Sequence, residues 1–303
     1  MLSILIPTYN YNVFKLVDVL YNQAKEAKIE FEILVLDDGS QKFHPENSNI
    51  NEFQFCSYEI LKVNIGRSAI RNLLAKKAAF DNLLFLDSDT IPINNNFISN
   101  YLLQITKEEK IVSGGILYSK LKPQESQILR WKYGNYREAL SAKIREKNPY
   151  LRLLTLNFMI KKSVFEKVSF NENIPNLRHE DTLFSYELKN HNIRVGHIEN
   201  PVYHLGLDEF DVAIKKENES LIALKFLIEN KLIPADYIGL SKLFYRLKKM
   251  QVVFVLKVFY KITKPFLLKN LASKNPSLFI FDLYRLGYFA KTLIQTTFKK
   301  NET

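Results

Sequence analysis

The sequence lacks several features that would assign it to a particular class of protein. Its 303 residues include one cysteine, Cys56, so no internal disulfide can form and a reducing compartment is expected. No run of about twenty apolar residues, the length needed to cross a bilayer, is present. The first residues also lack the basic segment and cleavage site of a secretory signal. We therefore expect a cytoplasmic protein, and the apolar fraction of 47% is ample for a packed core.

Acidic residues are scarce near the C-terminus. Residues 241–303 contain thirteen lysines and arginines but only two acids, Asp282 and Glu302, so their net charge of +11 equals that of the whole chain. Phenylalanine, leucine, valine and tyrosine are interleaved with these lysines in helix-like segments. Such basic helices favour an interfacial position on anionic lipid, and a helical subdomain with a solvated basic face is the alternative. We expect no nucleic-acid partner, because no base-reading motif accompanies the charge.

Strand and helix patterns alternate through the first 205 residues. Strands are predicted at 4–6, 31–36, 58–63, 83–86, 111–116, 155–160 and 193–198, and helices at 13–27, 66–79, 162–167 and 178–190. Residues 41–56 are predicted to be an irregular loop, and residues 119–150 a loop or short helices. A strand, a helix and a strand in succession predict a parallel pair. Three such steps indicate an α/β protein with a doubly wound, nucleotide-binding sheet.

Two carboxylates follow the buried strand Leu83–Leu86, in the order Asp87-Ser88-Asp89. Ligands of open α/β sheets bind at the carboxyl ends of the strands, so this pair is expected to face the site. Carboxylate oxygens suit Mg²⁺ or Mn²⁺ that also contacts a substrate diphosphate. The alternative is an ordinary Asp-Ser-Asp turn.

Six motifs in one order resemble the family 2 glycosyltransferases of the GT-A fold. The motifs are SILIPTYN (3–10), LDDGS (36–40), NIGRSAIRN (64–72), LDSDT (86–90), NFMIKKSVF (157–165) and HED (179–181). The resemblance implies a Rossmann-like mixed sheet flanked by helices in a domain spanning 1–210. Residues 211–303 are expected to form a helical, basic C-terminal extension.

The resemblance also implies a nucleotide-sugar site. Its expected residues are Pro7, Thr8, Tyr9 and Asp38 at the nucleobase and ribose, and Arg67 and Arg71 near the diphosphate. Asp87 would lie near the ribose or make a second contact to the metal, and Ser88 beside it completes the nucleotide-sugar set. The Asp38 carboxylate would accept the imide N–H of uracil, which favours a UDP-sugar. The alternatives are that Asp38 only forms the Asp-Gly turn and that Arg71 is an exposed helix charge.

The catalytic roles implied by the resemblance fall on four residues. Asp89 would be the principal ligand of Mn²⁺ or Mg²⁺, and His204 lies where several relatives supply a further ligand. Asp181 would be the general base, and Glu180 would orient acceptor hydroxyls; helix capping is the alternative for both. Many relatives have Trp-Gly or Gly-Gly before this pair, whereas this chain has Leu-Arg-His at 177–179. This departure from the family pattern bears on the identity of the acceptor rather than on the chemistry of transfer.

These expectations define an inverting, metal-dependent hexosyl- or N-acetylhexosaminyltransferase. The acceptor would be a hydroxyl of a glycan or a lipid-linked saccharide. We expect the enzyme to be peripheral on the inner face of the cytoplasmic membrane and to contact the anionic membrane surface through residues 241–303. A phosphohydrolase of the haloacid dehalogenase type is a competing interpretation, but its Asp-x-Asp follows the first strand and Ile91 does not match its pattern. A non-catalytic glycan- or membrane-binding module is a third.

Overall fold

A computed structural model of the chain describes residues 1–292, and these residues divide into two compact units. The first unit consists of Met1–Ser119, Asn135–Glu172 and Glu180–Gly206. The second consists of Lys120–Gly134, Asn173–His179 and the described residues from Leu207 onward. All of the motifs lie in the first unit, apart from His179.

Ten strands are found within the described residues, all in the first unit. They are β1 (Leu2–Thr8), β2 (Phe31–Asp37), β3 (Cys56–Ile60), β4 (Asn82–Leu86), β5 (Thr90–Pro92), β6 (Lys110–Ser113), β7 (Ile116–Leu117), β8 (Asn157–Lys161), β9 (Arg194–His197) and β10 (Val202–His204). Seven of them form a sheet in the order β3-β2-β1-β4-β8-β6-β9, and β5, β10 and β7 form a smaller one.

The large sheet is mixed, as the resemblance predicts. Strand β1 is parallel to both β2 and β4, β2 is parallel to β3, and β8 runs antiparallel to β4 and β6. The parallel pairing of β1 with β2 confirms the prediction from the first strand, helix and strand. Because β1 lies between β2 and β4, the carboxyl ends of these three strands meet along one edge of the sheet. Two of the acidic motifs follow β2 and β4 at that edge.

Eleven α-helices occur in residues 1–292. They are α1 (Phe14–Glu26), α2 (Arg67–Lys77), α3 (Phe97–Leu102), α4 (Ile128–Tyr133), α5 (Ala142–Arg145), α6 (Lys162–Lys167), α7 (Glu180–Asn190), α8 (Phe210–Glu229), α9 (Gly239–Lys249), α10 (Val253–Leu271) and α11 (Leu278–Lys291). Helices α4 and α8–α11 belong to the second unit.

The core of the first unit has two layers, because β1 is buried on both faces. Leu2, Ile4 and Ile6 lie in the same apolar cluster as the inner face of α1, whereas Leu5 lies in the cluster of α2. Side chains alternate between the faces of a strand, so a strand of consecutive apolar residues can hold a helix on each face. This arrangement fixes the loops after β1 and β2 relative to the start of α2.

Several predicted boundaries are wrong. Strand β3 covers 56–60 rather than 58–63, since its partner β2 ends at Asp37, which pairs with Ile60. The single strand predicted at 111–116 is two strands in different sheets, divided at Gly115, whose φ is +89°. Residues Pro45–Glu52 in the expected irregular loop form a 3-10 helix, and α7 begins at Glu180 rather than at 178.

The second unit has its own apolar core between helices α10 and α11. Tyr260, Leu267 and Leu271 of α10 pack with Phe281 and Tyr284 of α11. The two helices approach closely where Tyr260 lies against Gly287, a position at which any Cβ would collide with the ring. The predicted helical character of the C-terminal extension is thus confirmed for the described residues, and 293–303 lie outside them. No helix in residues 1–292 combines the length and the apolar character needed to span a membrane.

Candidate active site

The loop after β1 contains the residues predicted to hold the nucleobase. Thr8 is buried, and its carbonyl accepts the backbone N–H of Asp38 at 2.9 Å. Pro7 is half-buried, and Tyr9 is 45% exposed. A fixed backbone followed by an exposed aromatic ring suits a planar ligand, because such a ring can stack on a base without a large loss of side-chain entropy.

Asn10 joins this loop to the loop after β2. Its backbone N–H donates to Ser40 Oγ at 2.6 Å, and its Oδ1 accepts the backbone N–H groups of Gln41 and Lys42, each at 2.9 Å. Asn10 has a φ of +54°, a left-handed conformation that asparagine adopts more readily than most residues. The sequence reasoning did not include Asn10 among the site residues, although it closes the first motif.

Asp38 connects the loop after β2 to the start of α2. Its two carboxylate oxygens accept the backbone N–H groups of Ile65 (2.7 Å) and Gly66 (3.0 Å), and its carbonyl accepts Asn64 Nδ2 at 3.0 Å. Gly39, with a φ of +70°, lies so close that an added Cβ would be 2.9 Å from the carbonyl carbon of Val63. Asp38, which is only 5% exposed, therefore holds the second and third motifs together.

A buried arginine lies between the two acidic pairs. Arg71 Nη2 donates to Asp87 Oδ1 at 2.7 Å, and its Nη1 lies 3.7 Å from Glu180 Oε1. The side chain is 7% exposed, and its guanidinium lies over the ring of Phe170, 5.4 Å from the centroid. The alternative prediction of an exposed helix charge is therefore wrong. Arg71 instead holds carboxylates that are more than ninety residues apart in sequence.

Glu180 and Asp181 form the first turn of α7. A helix N-terminus favours negative charge, since its free N–H groups and its dipole both point toward this end. Asp181 Oδ1 accepts the backbone N–H of Thr182 at 2.7 Å. Glu180 Oε1 also lies 3.7 Å from Arg67 Nη1, and the Arg67 side chain is 47% exposed. Arg67 therefore contacts the acidic pair and is still accessible to a ligand.

The environment of Asp181 changes its acidity. Burial, followed by the neighbouring charge of Glu180, raises the pKa of Asp181 to about 6, against the opposing effects of the Thr182 N–H and of Arg71. A carboxylate with a pKa just below neutral is ionised at pH 7 and is a stronger proton acceptor than an ordinary aspartate.

Asp89 and His204 lie together beside the small sheet. Strand β10 pairs with β5 so that His204 is opposite Thr90, and the Leu205 N–H donates to the Asp89 carbonyl at 2.8 Å. This pairing sets His204 Nε2 3.3 Å from Asp89 Oδ2. The Tyr118 ring also lies near His204, with 5.3 Å between the two ring centroids.

The Asp89 and His204 donors fit a small divalent cation. Two ligands at adjacent corners of an octahedron, each about 2.1 Å from the ion, lie about 3 Å apart, close to the observed separation. Within residues 1–292, no three or more His, Cys, Asp or Glu side chains are arranged to hold a metal. Mg²⁺ is commonly held by one or two carboxylates together with substrate phosphates, so a two-residue set is compatible with a metal that arrives with its substrate.

Gly206 is a site residue that the sequence reasoning missed. A Cβ at this position would lie 2.5 Å from Asp89 Oδ2 and 3.3 Å from His204 Cε1. Only glycine leaves room for the Asp89 carboxylate in this orientation. The sequence signal for Gly206 is weak. A glycine two residues after a histidine does not indicate a site residue until the pairing of β10 with β5 brings it next to Asp89.

The predicted residues thus fall into three groups at the site. Asp38 is bonded to the start of α2; Arg67, Arg71, Asp87 and Glu180 form a charged cluster with Asp181 adjacent; and Asp89 contacts His204. Ser88, which lies between Asp87 and Asp89 in the sequence, is half-buried.

Comparison with known proteins identifies a family. A model of glycosyl transferase family 2 matches residues 3–169, which include every motif except the HED segment. No curated protein matches the sequence significantly.

Solved structures share the fold at low sequence identity. The mannosyltransferase PcManGT from Pyrobaculum calidifontis, solved in complex with GDP-Man and Mn²⁺, is 13% identical over 74% of this chain and 61% of its own, with a TM-score of 0.51. TarS from S. aureus is 16% identical over 94% of this chain and 54% of its own, with a TM-score of 0.52. The chain therefore spans only about half to three-fifths of the length of these two proteins.

Proposed function

The chain belongs to glycosyl transferase family 2, and we propose that it is an inverting transferase that moves a sugar from a nucleoside-diphosphate donor to an acceptor hydroxyl. The observation that carries this proposal is the position of Arg71, which contacts a carboxylate from each acidic pair. A donor site and a base must lie close together in a transferase that acts in one displacement. Family membership removes the phosphohydrolase alternative.

The donor is proposed to bind along the carboxyl edge of the large sheet. Thr8, Tyr9 and Asp38 would contact the base, with UDP favoured, and Asp87 and Ser88 would contact the ribose. Arg67 is better suited than Arg71 to a phosphate oxygen, because its side chain is 47% exposed while that of Arg71 is 7% exposed. The donor sugar is proposed to be a hexose or an N-acetylhexosamine.

Asp89 and His204 are the residues that would hold Mn²⁺ or Mg²⁺. When bound, such an ion neutralises charge on the departing diphosphate. The two side chains supply a hard oxygen and an imidazole nitrogen 3.3 Å apart, a donor set that suits either ion. Gly206 keeps the space into which the Asp89 carboxylate is turned.

Asp181 is proposed to take the proton of the acceptor hydroxyl. As the proton moves to its carboxylate, the acceptor oxygen attacks the anomeric carbon from the face opposite the diphosphate. A new carbon–oxygen bond forms while the bond to the diphosphate breaks, and the diphosphate keeps the electron pair. Configuration at that carbon is inverted, and Glu180 would orient the acceptor by accepting its hydroxyl hydrogens.

The acceptor is proposed to be a glycan or a lipid-linked saccharide. An enzyme acting on such a molecule would sit peripherally on the inner face of the cytoplasmic membrane. The basic segment 241–303 supports this location through its charge, although 293–303 lie outside the described residues.

Release of nucleoside diphosphate from a panel of UDP-, GDP- and dTDP-sugars, with Mn²⁺ or Mg²⁺ and with or without acceptor saccharides, tests the proposal. GDP-mannose belongs in the panel because the neighbour PcManGT was solved with it. Asp89→Ala should abolish turnover, and Asp181→Asn should lower it by about 10²–10⁴-fold. The matched control is Asp81→Asn, an exposed aspartate at the opposite end of β4. If a donor binds but no combination of donor, metal ion and acceptor gives turnover, the result would favour a non-catalytic binding module.

A further inference from the structure

Helix α10 presents an apolar stripe that the rest of the described chain leaves uncovered. Phe254, Val258, Ile262 and Phe266 recur every four residues, which puts them on one face of the helix, and Val255 and Phe259 widen that face. Phe254 and Phe266 are 75% and 72% exposed. A contiguous apolar patch of this kind on a protein surface marks a site of interaction.

The opposite face of α10 is already used. Tyr260, Leu267 and Leu271 are buried in the core of the second unit against α11. This packing holds the helix in place and sets the direction in which its apolar stripe faces. A partner that covers the stripe would come from outside the described residues.

Positive charge lies beside the stripe. Lys257 and Lys261 are exposed along one edge of it, Lys269 is exposed near its end, and α10 contains no acidic residue. Between residues 239 and 292 there are eleven lysines and arginines and a single acid, Asp282. Apolar side chains flanked by lysines match an anionic bilayer, whose interface accepts both. A second copy of the same face would instead oppose lysine to lysine.

We propose that the α10 stripe docks on the surface of an anionic lipid bilayer, with Phe254, Ile262 and Phe266 inserted at the headgroup boundary and Lys257 and Lys261 at the phosphates. This assigns a specific surface to the membrane contact in the proposed function. Lipid docking and sugar transfer are separable, because diphosphate release can be measured without vesicles.

Co-sedimentation of the full chain with vesicles tests the proposal. Vesicles of phosphatidylcholine alone are compared with vesicles containing about one-third phosphatidylglycerol. We expect binding to the anionic vesicles that is at least tenfold stronger and weakens with added salt. We expect at least tenfold weaker binding to the anionic vesicles for Phe254→Gln/Phe266→Gln, because this variant loses apolar area at the headgroup boundary. We expect at least tenfold weaker binding also for Lys257→Glu/Lys261→Glu, since each lysine at an anionic surface is worth about a fivefold change.

Matched controls separate these effects from general changes in the surface. Leu103→Gln/Leu121→Gln removes two equally exposed apolar side chains elsewhere, and Lys107→Glu/Lys147→Glu makes the same charge change elsewhere. Both should bind as wild type does, and circular dichroism should show that all four variants are folded. Absence of vesicle binding, equal binding to both vesicle types, or unchanged binding in the α10 variants overturns the proposal. Light scattering that detects a dimer lost in Phe254→Gln/Phe266→Gln would overturn it in favour of a second copy.

Discussion

Arg71 and Asp87 form a 2.7 Å ion pair that ties helix α2 to the loop after β4. The arginine side chain is buried, whereas the aspartate keeps about a third of its side-chain surface exposed and can still meet a ligand. The buried arginine therefore holds the Asp87 carboxylate in position at the site. Arg71 also lies 3.7 Å from Glu180 Oε1, so it connects the loop after β4 to the acidic pair of α7.

Replacement of Arg71 by methionine should affect both stability and acidity. It leaves carboxylates without their buried partner, which should lower the free energy of unfolding by about 3 kcal/mol. It also removes a charge that lowers the pKa of Asp181, so the acid limb of the pH–rate profile should move to higher pH. Urea unfolding and the pH dependence of kcat/KM measure the two effects. Arg71→Lys keeps the charge and should shift the profile less; identical profiles for the two variants would contradict the electrostatic role.

The proposed base predicts how activity depends on pH. Because the pKa of Asp181 is raised to about 6, the ionised base is present above that pH and is protonated below it. We expect kcat/KM to fall by about tenfold for each pH unit below 6. Glu180→Gln removes the neighbouring charge that raises this pKa, so the acid limb should move to lower pH, opposite to Arg71→Met. A limb that stays in place would show that another group is titrating.

Gly206→Ala should weaken the response to metal. The new Cβ would lie 2.5 Å from Asp89 Oδ2, so the carboxylate must turn away from His204. We expect the Mn²⁺ concentration that gives half-maximal activity to rise by about tenfold or more, as for other groups that orient metal ligands. Electron paramagnetic resonance of free Mn²⁺ gives the binding directly. Gly239→Ala, where an added Cβ meets nothing within 4 Å, is the control and should behave as wild type.

His197 should make the first unit less stable in mild acid. Arg145 can only donate, so His197 Nδ1 accepts from Arg145 Nη1 at 2.8 Å, and its Nε2–H donates to the Pro149 carbonyl at 3.0 Å. The folded protein thus holds a neutral imidazole, and burial, with the charge of Arg145 adding to it, lowers the pKa of His197.

The unfolded chain binds this proton more readily, with a histidine pKa of about 6.5, so stability should decrease as pH falls below that value. Urea unfolding at pH 7.5 and pH 5.5 measures the loss. His197→Gln should reduce the pH dependence of the free energy of unfolding. His191→Gln, at an exposed histidine, should leave that pH dependence unchanged. An unchanged dependence in His197→Gln would assign the effect to other groups.

The parts of the fold that could be predicted were those with a strong local pattern. Strands β1, β2 and β4 are continuous apolar runs, and α1 has a regular apolar face, so their type and parallel pairing followed from the chain alone. Edge strand β3 is half-exposed, and its end depends on where β2 stops. Strands β5 and β7 are too short to leave a pattern, and α3, of six residues, was not predicted at all.

For the candidate site, the sequence by itself determined the family and the chemical types: carboxylates after strands, arginines on α2 and an acidic pair at a helix start. These depend on residue identity and spacing, which are local. Tertiary structure alone decided that Arg71 is buried between two acidic groups, that Asp38 supports the turn before α2, and that Gly206 makes room for Asp89. Each of these is a contact between residues distant in the chain, set by strand order and packing, and no local pattern encodes such a contact.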